Sequence, residues 1–481
     1  MTIPFIGRAA EIKNLRDVQK QKTPTLVVIK GRRRIGKSRL VEEFAKHSNF
    51  LRFSGLAPLE PMSAQDQRDA FKQQLGAQLG CTGLIFKDWA DIFDFLGSNI
   101  PQKPCVILFD EISWMGSKDP TFLPKLKNAW DMVFSKHNHL TLILCGSVST
   151  WVEKNILNST AFFGRVGLIV ALEDLSLFES VSFLKAAGLR TSPEECLKFL
   201  SILGGIPWYL ERLKPSHTAD ENIKQLCFTK SGLLVEEFDR IFHDLFSIKG
   251  AIYRNIIQIL SVGHHTLCDL QEALKYPRSG TLSQHLKQLI TAGFVSSHPA
   301  WSLKKRQIGK QSFYQLCDPY IRFYIKYMQP RLTQIKNGSF DYKRLSDLPE
   351  WSSIMGLQLE TLLLKNRKFI WELLNIHPQD ILWDNPYNQK GTQKQRGIQV
   401  DYLIHTQQKV LYICEIKFSR QPIGVEIQKE VAQKIENLSV PKGFAVCPIL
   451  IHTSSLTDNL LDSQFFFKTI DLNEVLENVL Q

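Results

Sequence analysis

The chain has 481 residues, of which 44% are hydrophobic and 22% charged, and its formal net charge is +12. That length corresponds to about three domains with ample core, and the composition is that of an ordinary soluble protein whose basic balance favours a polyanionic partner such as nucleic acid. Nine cysteines without a C-x-x-C pair argue against a zinc site or a disulfide framework and for a reducing compartment. No apolar run approaches the length of a membrane span, and the N-terminal MTIPFIGRAAEI lacks a basic n-region and a long apolar segment, so the expected location is cytoplasmic.

In chain order, Phe5-Ile6-Gly7-Arg8 with Glu11 and Leu15 opens a helix that ends before Lys22-Thr23-Pro24. The stretch Leu26 to Leu40 then reads LVVIKGRRRIGKSRL. A β-branched apolar run leads into G-x-x-x-x-G-K-S, and Leu40, Val41 and Phe44 mark the buried face of a following helix. Strand, glycine-bounded loop and helix are the context that a phosphate loop requires. Gly31 and Gly36 let backbone N–H groups approach a triphosphate, Lys37 supplies a point charge and Ser38 a hydroxyl for Mg²⁺. The nucleotide-contacting candidates are Gly31, Arg32, Arg33, Arg34, Ile35, Gly36, Lys37, Ser38 and Arg39.

A second strand is predicted over Phe50 to Phe53, and helices over about Ala64 to Leu79 and Asp88 to Leu96. This alternation reads as α/β with a parallel sheet. Cys105 to Phe109 is a continuous apolar run ending in Asp110-Glu111, a central strand delivering two carboxylates at its C-terminal edge. Asp110 is expected to orient the Mg²⁺ hydration shell and Glu111 to polarise the attacking water. Leu140 to Leu144 ends in Cys145-Gly146-Ser147, which makes Ser147 a candidate γ-phosphate sensor. Before a last strand, Gly167 to Leu172, Arg165 is placed to reach a phosphate of its own or a neighbouring subunit, or to pair with a surface acid. Two capped helices follow, Ser176 with Glu179 and Ser192-Pro193 with Glu195, and the second stops at Gly204-Gly205-Ile206-Pro207-Trp208-Tyr209-Leu210.

The order Phe-x-Gly-Arg, GRRRIGKS, LFDE, CGS, FGR and GGIPWYL resembles the archaeal and bacterial ATPase family within the AAA-like, STAND-related P-loop ATPases, over about the first 245 residues. The resemblance implies a five-stranded parallel sheet, a helical lid, ATP as the nucleotide and an output further along the chain. It also implies that Gly205 and Pro207 lie in the lid near the nucleotide.

The middle of the chain has the winged helix-turn-helix order. An amphipathic helix spans Ile252 to Leu260, Thr266 and Asp269 cap a second to about Lys275, and Thr281 to Ala292 is a third. Phe294-Val295 begins a hairpin rich in Lys304, Lys305, Arg306 and Lys310. That order would present Ser283, Gln284, Lys287 and Gln288 to a DNA groove and the hairpin cations to phosphates. The alternative is a protein-contact spacer with a solvated basic face. Phe313 to Tyr327 reads as aromatic core, and Gln329 to Leu348 as a linker or boundary.

Two runs of strand composition, Ile398 to Ile404 and Val410 to Lys417, flank a polar turn. With a three-residue loop at Gln407 to Lys409, the ladder sets Asp401 opposite Glu415, and Lys417 shares a face with Glu415. The spacing D-x13-E-x-K resembles the PD-(D/E)XK nuclease superfamily, with Val400 in place of the usual proline. The resemblance implies Asp401 and Glu415 as Mg²⁺ ligands, Lys417 acting on the attacking water, and Glu360 as the acid of the preceding helix. Gln428, on the helix after Lys417, is a further, weaker candidate.

The expected fold is therefore α/β: a P-loop ATPase with parallel sheet and helical lid, followed by a winged helix-turn-helix and a C-terminal α/β nuclease-like domain. The expected boundaries are 1–172, 173–245, 246–328, a linker at 329–348, and 349–481. The expected activity is an ATP-hydrolysing, Mg²⁺-using switch acting on DNA. The alternative is a regulatory ATPase whose C-terminal modules bind DNA or a protein partner without cleavage; a protein partner or self-assembly is a further expected interaction of the chain.

Overall fold

Five strands form the first sheet: β1 (Thr25–Lys30), β2 (Asn49–Ser54), β3 (Cys105–Asp110), β4 (Leu140–Gly146) and β5 (Val166–Ala171). All neighbours are parallel, in the order β2-β3-β4-β1-β5. The computed structural model of the protein describes residues 3–57, 62–147, 149–246, 250–277, 280–389, 391 and 396–480. It separates into one unit of Pro4–Asp174 with Thr291–Gly293 and another made chiefly of Leu175–Ile290 and Phe294–Gln481.

Strands β3 and β4 are buried along their whole length. Their alternating residues feed two separate cores, as a sheet covered on both faces requires. Val27, Ile29, Val106, Leu108 and Ile143 pack with Leu40, Val41 and Phe44 of the helix Lys37–Ala45. Leu26, Val28, Ile107, Phe109 and Leu142 pack with the helices Ala64–Leu79, Trp89–Ser98 and Phe122–Met132. This second core is aromatic: Phe71 stacks on Phe53 at 4.2 Å and meets Trp89 edge-on at 5.4 Å. Burying each such ring contributes about 1.5–3 kcal/mol, so the strand ends that carry the polar residues rest on a stiff base.

In the other unit, helices Leu177–Ala186, Pro193–Leu203, Ala219–Cys227 and Glu237–Phe246 precede the winged helix. Ser176 and Glu179 cap the first reciprocally. The second departs from expectation, since Ser192 accepts from Glu195 N but Glu195 turns away and accepts from Ala219 N at 2.9 Å. Glu195 therefore satisfies the start of a different helix. Gly205 leaves no room for a side chain, because a Cβ there would stand 2.1 Å from Leu175 O.

The winged helix contains the helices Gly250–Leu260, Leu267–Ala273 and Gly280–Thr291 and the strands β6 (His265–Thr266), β7 (Val295–Ser302) and β8 (Gln307–Leu316), paired antiparallel in the order β6-β8-β7. The aromatic segment after β8 is core, with Tyr320, Phe323 and Tyr327 fully buried. Residues 329–348 include a helix, Leu332–Asn337, whose Ile335 is buried.

The last sheet is mixed, with β9 (Ile381–Gln389), β10 (Ile398–Thr406) and β11 (Val410–Lys417) antiparallel and β12 (Ala445–His452) and β13 (Lys468–Asp471) parallel to β11. The helix Trp351–Lys365 packs on β11, and the helix Glu426–Asn437, which carries the chain from β11 to β12, packs on β10. The wing is docked on this sheet. Trp301 stacks on Trp383 at 5.6 Å and donates to His405 Nδ1 at 3.1 Å, and Arg306 lies over Phe444.

Candidate functional sites

The phosphate-loop stretch folds as a tight turn between β1 and the helix Lys37–Ala45. Gly36 sits at φ 93°, and Arg34, a bulky residue, is held at φ 70°; such conformations cost free energy and persist only where the surroundings impose them. Ile35 anchors the loop in the core, while Arg33 is exposed and Arg32, Arg34 and Arg39 are half-buried around it. Lys37 is buried and its ammonium donates to Gly31 O and Arg32 O, both at 2.9 Å.

Two carboxylate–hydroxyl pairs stand at the C-terminal edge of the sheet. Ser38 Oγ donates to Asp110 Oδ2 at 2.7 Å, and Ser147 Oγ donates to Glu111 Oε2 at 2.7 Å. Glu111 is itself left-handed at φ 51°, the turn that swings it from the end of β3 toward Ser147 at the end of β4. Hard oxygen donors side by side, a hydroxyl and a carboxylate, suit Mg²⁺, and Ser38 with Asp110 would hold it.

Arg165 lies elsewhere. It forms a two-pronged pair with Asp131, at 2.7 and 2.8 Å, which holds that carboxyl down to about 2. Of the roles open to it in the sequence, this is the pairing with a surface acid.

Two arginines of this unit make contacts that no local pattern assigns them. Arg8, in the Phe-x-Gly-Arg segment, is buried and its guanidinium donates to Glu173 O and Ile35 O, clamping the loop from behind. Arg52 on β2 donates to Asp110 Oδ2 at 2.8 Å and to Glu42 Oε1 at 2.6 Å. Only a resolved β2–β3 register, with Ser54 opposite Asp110, brings Arg52 there.

In the other unit, Ser283, Gln284, Lys287 and Gln288 are exposed on the helix Gly280–Thr291, and Lys304, Lys305, Arg306 and Lys310 are exposed on the wing. Gly205 and Pro207 belong to this unit too, with Gly205 against Leu175 and Pro207 starting the short helix Pro207–Leu210.

The last sheet gathers a second set of charges. The β10–β11 ladder ends at Tyr402 with Cys414, and one further step of that register sets Asp401 across from Glu415. Asp401 Oδ2 accepts from Ile416 N at 2.9 Å. The register of β10 on β9 slips between Val400 and Leu403, leaving Asp401 and Tyr402 opposite the single Pro386. Such a bulge bends the strand and re-aims a side chain, and a proline tolerates the lost ladder bond. Glu415 is 2% exposed, with Lys434 Nζ at 2.6 Å from one oxygen and Lys417 Nζ at 3.2 Å from the other. Lys417 also reaches Glu430 at 3.1 Å.

Glu360, from the helix Trp351–Lys365, completes the group. Burial first, then the Asp401 charge, raises its pKa; burial and then Glu415 raise that of Asp401, and Lys434 opposes both shifts. For Lys417, burial works against the charged form, but Glu415 and Glu430 outweigh it and its pKa is raised. Beneath this group the buried Arg322 donates to Gln358 Oε1 and Thr361 Oγ1, on the helix that bears Glu360, and to Leu316 O. Carboxylate oxygens are the right donors for a hard divalent cation. Among the described residues, however, no three acid, histidine or thiol groups close around a metal position, and both oxygens of Glu415 are taken by ammonium groups. Asp401 and Glu415 would hold a cation only after Lys434 moved off.

Comparison with known proteins bears on the class. Residues 5–213 match the family described as an ATPase domain predominantly from Archaea, and residues 254–297 match the helix-turn-helix of bacterial regulatory proteins of the arsR family. The chain thus carries a P-loop ATPase domain followed by a winged helix-turn-helix region. It is 25% identical over 362 residues to the uncharacterized protein MJECL04 of Methanocaldococcus jannaschii, covering 74% of this chain and 75% of that protein. Among solved structures, it is similar to the Walker-type ATPase of Pyrococcus abyssi (TM-score 0.48, 16% identity, 67% of this chain and 96% of that one). It is also similar to the ORC2 protein of Aeropyrum pernix (TM-score 0.41, 14% identity, 69% and 97%). No helix among the described residues is long and apolar enough to cross a membrane.

Proposed function

We propose that the chain is an ATP-binding and ATP-hydrolysing switch that acts on DNA through its winged helix and carries a metal-dependent nuclease-like site in its C-terminal sheet. The observation that carries the ATPase part is the pair of hydrogen bonds Ser38–Asp110 and Glu111–Ser147 at one sheet edge. In this reading Gly31 to Arg39 cradle the phosphates, Lys37 leaves its loop carbonyls for the β- and γ-phosphates, and Ser38 and Asp110 hold Mg²⁺. Glu111 orients the attacking water and Ser147 senses the γ-phosphate. Gly205 and Pro207 serve the lid. Mg²⁺, when bound, neutralises charge developing on the phosphates. Lys37→Ala is expected to abolish ATP binding measured by calorimetry; unchanged affinity would refute the cradle.

For the C-terminal site, the support is the convergence of Glu360, Asp401, Glu415 and Lys417 from three elements, with a bulge at Asp401. Lys417 would act on the attacking water and the two strand carboxylates would take the metal. Plasmid incubated with Mn²⁺, with and without ATP, is expected to be nicked by the parent and not by Lys417→Ala. Equal nicking by both counts against cleavage. The second reading, a regulatory ATPase that binds DNA or a protein partner without cutting, is favoured by one observation: both Glu415 oxygens are already neutralised by lysines. Retained DNA binding without nicking in any condition would select it.

A further inference from the structure

Lys434 stands out as a residue that neither motif predicts. The helix Glu426–Asn437 is amphipathic, and its buried face is marked by Ile427 and Val431. Lys434 follows Val431 by three positions, so the helical period turns it to that same face. A lysine at an inward position breaks the pattern the helix otherwise keeps, and such breaks mark sites. Its ammonium is 2.6 Å from Glu415 Oε2, and it is the cation that acts on both Glu360 and Asp401. Lys417, by contrast, divides itself between Glu415 and Glu430, whose side chain is 56% exposed. Lys417 is therefore shared with an exposed acid, whereas the ion pair of Lys434 is with the buried Glu415.

We infer that Lys434 is a resident counter-ion occupying the place on Glu415 that a divalent cation takes when the site is loaded, so that the lysine-closed and metal-loaded states exclude each other. This rests on the metal-site reading given above. The ammonium contacts Glu415, and its charge acts on Asp401 and Glu360, as that of Arg322 acts on Glu360. A buried carboxylate is costly without a partner, and the lysine supplies one in the absence of metal. A hard cation binds the same oxygen lone pairs at about 2.0–2.1 Å for Mg²⁺, and its charge repels the ammonium. Loading thus requires Lys434 to swing out, and removing Lys434 removes the competitor.

The test is Mn²⁺ binding to the nucleotide-free full chain, by calorimetry or electron paramagnetic resonance, counting only the site that Glu415→Gln abolishes. Lys434→Gln, which keeps a donor toward Glu415, is expected to bind Mn²⁺ about tenfold more tightly than the parent, the change expected when a competing cation is removed. A second arm uses the parent alone: acetylation of Lys434, followed by mass spectrometry, is expected to rise severalfold in Mn²⁺. Equal affinities in parent and Lys434→Gln, or acetylation that Mn²⁺ does not change, would overturn the exclusion while leaving the metal site standing. Failure of parent and variant alike to show any Mn²⁺ site removed by Glu415→Gln would overturn the metal-site reading itself, and this inference with it.

Discussion

The two acid sites solve one electrostatic problem differently. At the edge of the parallel sheet, Asp110 and Glu111 are held by hydroxyls, Ser38 and Ser147, and Arg52, which is 40% exposed, donates to Asp110. In the C-terminal sheet, Glu415 is 2% exposed and gripped by two lysines, with Asp401 and Glu360 pushed toward the protonated form beside it. Hydroxyls orient a carboxylate without neutralising it, which suits a site meant for a cation and phosphates. Ammonium groups neutralise it, so the second is balanced as it stands. A nucleotide site can remain ready for its ligand; a buried acid group must be compensated from within.

The sharpest way to break this contrast is to neutralise one carboxylate in each site and follow ATP turnover. Glu111→Gln is expected to retain nucleotide binding and lose about 10²–10³ in turnover, or ~3–4 kcal/mol of barrier. Glu415→Gln is expected to leave turnover at the parent level. Turnover that survives Glu111→Gln would remove the hydrolytic role assigned to that residue.

Next in size is Arg322→Met. The guanidinium is fully buried, donates to Gln358, Thr361 and Leu316, and burial lowers its pKa to about 10. Its loss strands Gln358 and Leu316 O beneath Glu360, and the expected cost is about 2–4 kcal/mol of stability in a urea titration. A loss below that of an ordinary surface substitution would mean that the C-terminal site does not depend on a buried network.

A pH series sharpens the same point. Glu360 has its folded pKa raised above that of the unfolded chain, so between the two values the native state holds the extra proton and stability falls as pH rises. In EDTA, Glu360→Gln is expected to melt higher than the parent at pH 8, by the equivalent of about 1–2 kcal/mol, with the difference vanishing near pH 4. A difference that grows on acidification would contradict the sign. His264 runs the other way: burial lowers its pKa to about 4, so its contribution is lost as pH falls below the unfolded value.

Much of the first site was legible because its parts are local. A glycine-bounded loop behind β1, and acids ending the apolar run Cys105 to Phe109, announce themselves within a few residues. In the last sheet, a short turn fixes the register of β10 on β11, which is why the ladder that ends at Tyr402 with Cys414, one step short of Asp401 and Glu415, follows from counting. Arg52 and Lys434 were not legible, because each acquires meaning only through a neighbour distant in sequence, Asp110 for one and Glu415 for the other. Pro386 is itself a sequence signal, because a proline inside a strand marks a bulge, and the bulge is opposite Asp401. The capping expectation at Ser192 failed for a related reason, since Glu195 had a better partner in Ala219 N, on a helix the local pattern cannot see.

Arg52 gives the smallest effect and the most direct test of the comparison. Its pair with Asp110 is half-exposed and shared with Glu42, so it contributes about 0–1 kcal/mol to stability. Yet it contacts the oxygen that also accepts from Ser38, where Mg²⁺ is expected, and a guanidinium there weakens cation binding. Arg52→Ala is therefore expected to melt within a degree or two of the parent while lowering the Mg²⁺ concentration for half-maximal ATP turnover by about threefold, or ~0.6 kcal/mol. Lys434 is expected to have a larger effect on its own site because its carboxylate is buried. If Arg52→Ala shifted the Mg²⁺ requirement as strongly as Lys434→Gln shifts Mn²⁺ affinity, burial would not be what separates the two sites, and the difference would have to lie in the cations themselves.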